Sequence, residues 1–266
     1  MRKTTVGLVC VCLSVLLISV HAAAGPVLDR ILEKGELVVG TSGQQPPMTV
    51  RAKSGEIIGL DIDIARAVAQ GMGIDVKFVT LPFAELLPNL EAGKVDMVIS
   101  GMTITPNRNR NVAFVGPYYV SGKGILALEK RYAELQDANG LNAPEVVVAT
   151  LENSTSQKFA ETLMPKAKLA LSPSYDGAVD LLLNSKADVM VADLPFCAFA
   201  AYRHQEKGLS AGKSPLTFEP LGIAMPEDAL LINWVQNFLN TLQGTGQLKK
   251  LHKKWLDGGS WIEQVP

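Results

Sequence analysis

Short apolar runs alternate with segments of helical periodicity in the first third of the chain. The strand-like runs are residues 37–39, 76–79 and 95–99, and the helical segments are residues 60–69 and 83–92. In the first helix we expect Asp61 as the N-cap and Gly71 as the stop, and in the second we expect Gly93 to end the helix. The order strand, helix, strand, helix, strand predicts an α/β lobe built on a mostly parallel sheet.

The same alternation returns in the second half of the chain. Its strand-like runs are residues 146–148, 169–171 and 188–191, and its helical segments are residues 156–163 and 176–183. A further strand at 221–226 and helices at 228–242 and 247–256 complete the pattern. The repeated order predicts two similar lobes, and the pattern alone does not assign the last elements to either of them.

The chain begins with the features of a cleavable secretory signal. Arg2 and Lys3 precede an apolar run at residues 6–20, and the small residues Ala22-Ala23-Ala24 follow it. A membrane-spanning helix needs about 20 apolar residues, more than this run supplies, so a retained anchor is the weaker alternative. We therefore expect residues 1–24 to be removed and the mature protein to be periplasmic.

Composition and charge exclude several classes of partner and chemistry. The formal net charge is −1 and basic residues occur consecutively only in pairs, such as Lys249-Lys250 and Lys253-Lys254 near the end, so a nucleic-acid partner is not expected. Cys197, His204 and His252 lack the spacing of metal ligands, and no catalytic serine triad, phosphate loop or dinucleotide fingerprint occurs. We expect neither a metal nor a cofactor, and we expect Cys197 to be a small buried apolar residue.

The segment 98–108 combines the end of an apolar strand with small residues, hydroxyl groups and one arginine. Gly101 removes side-chain bulk, so that a ligand can approach the backbone. Thr103 and Thr105 supply hydroxyl groups, and Arg108 supplies a planar fork of donors that matches a carboxylate. We predict a carboxylate site here, and the alternative is a turn whose arginine pairs with a surface acid.

The second lobe offers two features that complement Arg108. Ser154 and Thr155 precede a helix, where hydroxyl groups and free backbone amides can receive an anion, although Ser154 taken alone is better explained as an N-cap. Asp193 stands at the carboxyl end of a strand and suits an ammonium group, although it could instead cap the next helix. These residues together predict a site for a zwitterion between the lobes.

Motifs spread over the whole mature chain carry a resemblance to one family. They are Gly59-Leu60-Asp61-Ile62-Asp63, residues 86–90 followed by Gly93-Lys94-Val95-Asp96, Gly101-Met102-Thr103-Ile104-Thr105 with Arg108, Phe114 and Pro117-Tyr118-Tyr119, Lys186-Ala187-Asp188, Asp193, Leu221-Gly222-Ile223-Ala224 and Lys253-Lys254-Trp255-Leu256. In this order they resemble the periplasmic amino-acid-binding proteins of ABC transporters, the bacterial extracellular solute-binding proteins of family 3.

The resemblance implies an α/β fold of the two-lobed, type II periplasmic-binding-protein kind, with a mostly parallel sheet flanked by helices in each lobe. Lobe 1 would comprise residues 25–119 and 220–266 and lobe 2 residues 120–219, joined by hinge crossings near 120–122 and 218–221. The lobes would close on the ligand by hinge motion. The implied partners are an amino acid and the membrane permease of an ABC importer, and the expected state is a monomer.

By the same resemblance, Arg108 would bind the α-carboxylate of the amino acid and Asp193 would bind its α-ammonium. The residues expected to assist are Thr103 with Ser154 or Thr155 at the carboxylate, and the carbonyl group of Gly101 at the ammonium.

Departures from the family pattern bear on the ligand's side chain. Many relatives carry an aromatic residue where Gln45 stands and a carboxylate where Ser42 stands, and here both positions are neutral and polar. Phe83 aligns with a position of the pocket wall, and the alternative for it is a core aromatic residue at the start of a helix. We therefore expect a small amino acid with a neutral side chain.

An enzyme on the same scaffold is the alternative function. Cyclohexadienyl dehydratases resemble these binding proteins, and their reaction needs a carboxylic acid beside the leaving hydroxyl group. The resemblance implies a glutamate three positions after the aspartate that matches Asp193, where this chain has Phe196, and Glu85 is the nearest substitute. A sensor domain is a third alternative. Sensors of this fold continue into a membrane helix and an output domain, so we favour this alternative least. We predict a binding protein and no enzyme.

Overall fold

The computed structural model describes residues 25–135 and 137–266, so the predicted signal segment at 1–24 lies outside the described residues. Within the described chain, two five-stranded sheets and a smaller three-stranded sheet form, with helices packed against the larger two. The predicted α/β class with two mostly parallel sheets is therefore confirmed.

The strands, in chain order, are β1 (Glu36–Thr41), β2 (Gln44–Gln45), β3 (Thr49–Arg51), β4 (Ile57–Ile58), β5 (Asp75–Thr80), β6 (Met97–Val98), β7 (Ala113–Ser121), β8 (Lys123–Ala127), β9 (Val147–Leu151), β10 (Lys168–Ser172), β11 (Val189–Asp193), β12 (Ser210–Ala211) and β13 (Glu219–Met225). The helices are α1 (Pro26–Lys34), α2 (Leu60–Met72), α3 (Leu86–Glu91), α4 (Lys130–Ala133), α5 (Thr155–Leu163), α6 (Tyr175–Leu183), α7 (Leu194–Arg203), α8 (Ala229–Gly244) and α9 (Gln247–His252).

Each large sheet has three neighbouring parallel strands on one side, and two further strands join the other side through antiparallel pairing. The first sheet has the order β5-β1-β6-β13-β7, in which β13 is antiparallel to both of its neighbours. The second has the order β10-β9-β11-β8-β12, in which β8 is antiparallel to β11 and β12. Because the carboxyl ends of parallel strands open onto one edge, the loops after β1, β6, β9 and β11 are the natural places for a ligand.

Both faces of the large sheets are buried in apolar clusters. Leu37 and Val39 of β1 pack in one cluster while Val38 between them packs in another. In β9 the neighbours Val148 and Ala149 also face different clusters. Burial on both faces explains why these strands read as continuous apolar runs in the sequence. Between residues 25 and 266, position 136 excepted, no helix has the length and apolarity needed to cross a membrane.

The expected N-cap of the helix at 60–69 is wrong. Helix α2 begins after Gly59, and Asp61 lies inside its first turn with its side chain fully buried. The Asp61 carboxylate accepts the backbone N–H of Gly101 at 2.6 Å and thereby links the helix to the loop after β6. The pattern indicated the start of the helix but not the direction in which this acid points.

Two more helix ends differ from the prediction in their details. Helix α2 continues through Gly71, where a Cβ would overlap the ring of Phe238, so this glycine permits close helix packing. The helix stops instead at Gly73, whose φ of 72° lies in the left-handed region. Gly93 (φ 66°) follows the end of α3 as expected, but the predicted helix begins as a 3₁₀ turn at Phe83–Glu85.

The segment that follows β1 contains strand pairing. Gln44 and Gln45 pair with Val50 and Thr49, and β3 in turn pairs with β4. The run predicted as a strand at 95–99 pairs only at Met97–Val98 within the described chain. Such short pairings leave little periodicity for sequence reasoning to detect.

The chain passes between the two large sheets twice. It leaves the first sheet at Ser121 and enters the second at Lys123, and it returns after Ala211 to begin β13 at Glu219. Ser121 and Glu219 are paired across β7 and β13, so the two crossings lie side by side. The lobe boundaries 25–119 with 220–266 and 120–219 stay a prediction.

Candidate functional site

Polar side chains from both large sheets meet where the sheets face each other. Thr103 follows β6 in the first sheet, and Thr155 opens α5 after β9 in the second. Their hydroxyl oxygens lie 3.4 Å apart. Gln45 of the small sheet similarly reaches Asp193 at the end of β11. The contact therefore brings together four residues that the sequence analysis assigned to the ligand site.

Both carboxylate oxygens of Asp193 have protein partners. Oδ1 lies 2.7 Å from the Nζ of Lys123, and Oδ2 accepts a 2.8 Å hydrogen bond from the Nε2 of Gln45. Asp193 occupies the N-cap position of α7, as the alternative interpretation expected, but its side chain makes no capping hydrogen bond to that helix. Asp193 is 4% exposed, so its charge is balanced inside the protein.

Lys123 is the functional residue that the sequence analysis missed. Its side chain is 1% exposed, and its Nζ donates to Thr155 Oγ1 and Asp193 Oδ1, each at 2.7 Å. The Oε2 of Glu219 lies 3.5 Å from the same nitrogen. The available signal was the position of Lys123 between Gly122 and Gly124 at the start of an apolar strand. Lysine is almost never buried without a partner, so a lysine here predicts an acidic neighbour.

Arg108 supplies a partly buried cation at the site. Its guanidinium donates one 2.9 Å hydrogen bond to the carbonyl oxygen of Thr103 and lies 5.6 Å from the centre of the Phe83 ring. Burial lowers the pKa of Arg108, while the charges of Asp193 and Glu219 oppose that change. Among the described residues, no carboxylate forms an ion pair with Arg108, so the alternative pairing with a surface acid is not observed.

Ser154 and Thr155 have different roles. The Ser154 hydroxyl accepts the backbone N–H of Gln157 at 3.2 Å and donates to the carbonyl oxygen of Leu151 at 2.6 Å, so Ser154 is the N-cap of α5. Thr155 instead directs its hydroxyl to Lys123 and Thr103. The side chain of Thr155, and not that of Ser154, therefore faces the residues of the other sheet.

Gly101 holds a backbone conformation that its neighbours require. Its φ is 57°, its N–H is bound to Asp61, and a Cβ on it would overlap the side-chain amide of Gln45. Burial raises the pKa of Asp61 to about 7, against the lowering effects of Tyr118 and of the Gly101 amide. In the described part of the chain, the Oε1 atom of Gln45 is buried and has no hydrogen-bond partner.

Ser42 and Phe83 complete the predicted wall. The hydroxyl of Ser42 accepts a 3.0 Å hydrogen bond from Ser100 and a 3.4 Å bond from the backbone of Gln44. Phe83 packs against apolar clusters of both large sheets and lies beneath Arg108. Phe83 is thus both a packing residue and a neighbour of the cation.

Metal binding and cysteine chemistry have less support than a carboxylate site. No group of three or more histidine, cysteine, aspartate or glutamate side chains in residues 25–135 and 137–266 is arranged to hold a metal ion. Cys197 is fully buried, and burial raises the pKa of its thiol to about 12. A thiol with so high a pKa is a poor nucleophile.

Comparisons with known proteins find relatives that match most of the chain. The chain is 27% identical to the cyclohexadienyl dehydratase of Pseudomonas aeruginosa, over 92% of this chain and 92% of that protein. It is 30% identical to ABC transporter arginine-binding protein 1 of Escherichia coli (strain K12), over 81% of this chain and 88% of that protein. A crystal structure of the ancestral amino acid-binding protein AncCDT-1, a precursor of cyclohexadienyl dehydratase, is 36% identical with a TM-score of 0.79, covering 86% of this chain and 99% of that one.

The family model of the bacterial extracellular solute-binding proteins, family 3, matches residues 37–258. This range includes both large sheets and every residue of the site described above. The resemblance inferred from the motifs is therefore confirmed, and the chain belongs to the bacterial extracellular solute-binding proteins of family 3, which include amino-acid-binding proteins of ABC transporters.

Proposed function

We propose that this protein is the periplasmic binding component of an ABC importer. It captures a small amino acid, or a carboxylic acid of the same size, with an uncharged side chain, and delivers it to a membrane permease. Residues 1–24 direct export and are removed, and the mature protein works as a monomer without metal or cofactor.

The unpaired guanidinium of Arg108 is the observation that carries this proposal. It is a partly buried cation that has no acidic partner in the described chain; it binds the carbonyl oxygen of Thr103, whose hydroxyl group in turn contacts that of Thr155. An arginine in this position binds a carboxylate with two parallel hydrogen bonds, which are strengthened when water is excluded.

The wall of the site supports an uncharged ligand side chain. Ser42, Gln45 and Phe83 present a hydroxyl, an amide and a ring, none of which compensates a positive charge. The relative from Escherichia coli is named for arginine, whose guanidinium would need a carboxylate at such a wall. We therefore assign this chain a neutral ligand and not a cationic one.

Closure of two lobes is the proposed mode of capture. Residues 25–119 with 220–266 form one lobe and residues 120–219 the other, with the paired crossings at Ser121 and Glu219 between them. The bond from Gln45 to Asp193 and the contact of Thr103 with Thr155 join the two sides. A ligand that touches both sides binds the closed form better, and this difference in affinity shifts the population towards closure.

A binding role is favoured over the dehydratase alternative by the surroundings of Phe196. This residue occupies the position at which the resemblance to dehydratases implies a glutamate, and its ring packs 4.3 Å from that of Tyr175, centre to centre. Phe196 is 2% exposed, whereas Glu85, the nearest substitute, is exposed on its turn. Position 196 therefore carries no acid that could protonate a leaving hydroxyl group.

A thermal-shift and calorimetric screen of ligand-free protein tests the proposal. The panel contains the twenty amino acids, their oxo and hydroxy analogues, several dicarboxylates, prephenate and arogenate. Tight binding raises the melting temperature by mass action. We expect a shift with a few small uncharged carboxylic acids, loss of that shift in Arg108→Ala, and its retention in Arg110→Ala, an exposed arginine two positions away. Full affinity in Arg108→Ala, or product formed from prephenate, would contradict the proposal.

A further inference from the structure

The acid expected to bind a ligand ammonium already holds an ammonium of the protein. The Nζ of Lys123 lies 2.7 Å from Asp193 Oδ1 and 2.7 Å from the hydroxyl of Thr155, with Glu219 as a third, more distant partner at 3.5 Å. An ammonium has three N–H donors, of which the hydrogen bonds to Asp193 and Thr155 use two, while Glu219 is an ion-pair neighbour. Lys123 thus occupies the place beside Asp193 that the family resemblance reserves for the ligand.

The second oxygen of Asp193 is also engaged. Gln45 donates to Oδ2 at 2.8 Å, so a ligand ammonium would have to share one carboxylate with both Gln45 and Lys123. Lys123 is 1% exposed and Asp193 is 4% exposed, so two ammonium groups would meet where solvent screens them poorly. Like charges a few ångströms apart in such surroundings repel strongly.

Gln45 indicates what fits in place of an ammonium. Its Oε1 is a buried acceptor that has no partner in the described chain, while its Nε2 and Lys123 are donors. A buried acceptor without a partner is costly, so a ligand group that supplies a neutral O–H, or that accepts from the neighbouring donors, is favoured here. A hydroxyl group can do both, and an oxo group can do the second.

We infer that the ligand is a small 2-hydroxy or 2-oxo carboxylic acid, whose carboxylate binds Arg108 and whose neutral oxygen meets Gln45 and Lys123 in place of an α-ammonium. This inference rests on the proposed function, because it assumes that Arg108 binds a carboxylate. It makes Lys123 the specificity-determining residue of the site.

Matched ligand series test the inference by calorimetry. The probes are alanine, lactate and pyruvate, then leucine with its 2-hydroxy and 2-oxo analogues, then phenylalanine with phenyllactate and phenylpyruvate. In the native protein we expect the hydroxy or oxo member of one series to bind roughly 100-fold more tightly than the amino acid, as expected for two buried like charges. Arg108→Ala is expected to abolish this binding.

Variants of Lys123 provide the second readout. Lys123→Gln frees Asp193, so the amino acid of the same series is expected to gain affinity while its hydroxy or oxo analogue loses affinity. Because a lone buried carboxylate can impair folding, the double variant Lys123→Gln with Asp193→Asn removes both charges, and here we expect the preference to fall to within about threefold. Melting curves verify that each variant is folded.

The outcomes separate the inference from the proposed function. Tighter binding of the amino acid than of its hydroxy and oxo analogues by the native protein would overturn the inference and leave the proposed function standing. Absence of binding by every member of all series would overturn both. An unchanged preference in the folded double variant would overturn the role of Lys123.

Discussion

Gln45 and Asp193 are 148 positions apart in the chain, and their side chains are joined by a 2.8 Å hydrogen bond. Gln45 belongs to the small sheet after β1, and Asp193 ends a central strand of the second large sheet. The bond therefore ties together the two sides of the proposed cleft. It also fixes one oxygen of the acid on which ligand specificity depends.

Replacing Gln45 with alanine should loosen the two sides in the absence of ligand. A hydrogen bond to a charged group contributes about 1.5–3 kcal/mol, so the closed arrangement loses a comparable amount of free energy. Small-angle X-ray scattering should give a larger radius of gyration for Gln45→Ala than for the native protein. Gln44→Ala is the matched control, because Gln44 is the exposed neighbour on the same strand. Identical scattering curves for the native protein and Gln45→Ala would refute the link.

Arg108→Lys should weaken ligand binding although it keeps the positive charge. A lysine ammonium cannot form two parallel hydrogen bonds to a carboxylate, and it loses the planar contact with the Phe83 ring. We expect a loss of roughly 10- to 100-fold in the association constant by calorimetry, corresponding to about 1.4–2.8 kcal/mol. Arg110→Lys should bind like the native protein. Equal affinity in Arg108→Lys would mean that charge alone, and not the fork of donors, holds the ligand.

Comparing Gly101→Ala with Gly93→Ala isolates the contact between position 101 and the side chain of Gln45. Both glycines have positive φ angles, 57° and 66°, but a Cβ at Gly101 overlaps the Gln45 amide whereas a Cβ at Gly93 has no atom within 4 Å. In urea unfolding, the free energy of unfolding of Gly93→Ala should be about 1 kcal/mol lower than that of the native protein, because alanine disfavours a positive φ angle. Gly101→Ala should lose about 1–3 kcal/mol more, because Gln45 must move. Equal losses would show that Gln45 adapts freely.

Asp61 should make the stability of the protein depend on pH. Its pKa is about 7 in the folded protein, above the value of an unfolded chain, so the folded state binds the additional proton more tightly. The contribution of Asp61 to stability is present below the unfolded pKa and is lost as the pH rises towards 7. The free energy of unfolding should therefore fall from pH 5 to pH 8, and Asp61→Asn should reduce this fall. Urea titrations at both pH values provide the measurement. An equal fall in unfolding free energy for the native protein and for Asp61→Asn would contradict the prediction.

Sequence reasoning predicted the elements whose signal is local. The runs that became β1, β9 and β11 are apolar because both faces of their sheets are buried, and α5 carries its N-cap at Ser154. Arg108 and Asp193 were predicted because they follow such runs, at the ends of strands where ligands bind. These inferences need only the residues on either side of each position.

Features that depend on distant partners were not predicted. Lys123 became significant only when β8 lay beside β11 and brought the lysine to Asp193, 70 positions further on. The buried carboxylate of Asp61 likewise finds its backbone partner at Gly101, which is 40 positions away. Neither partner leaves a periodic trace in the sequence, because a single ion pair or hydrogen bond has no period.

The position of β13 also determines the order in which the chain can fold. This strand lies between β6 and β7 but is made from residues 219–225, after the whole second sheet has been synthesised. Until those residues leave the ribosome, β7 has no neighbour through which to join the first sheet. Pairing across so long a stretch of sequence is slow, so the first sheet stays unfinished in a nascent chain, a property that suits the proposed export.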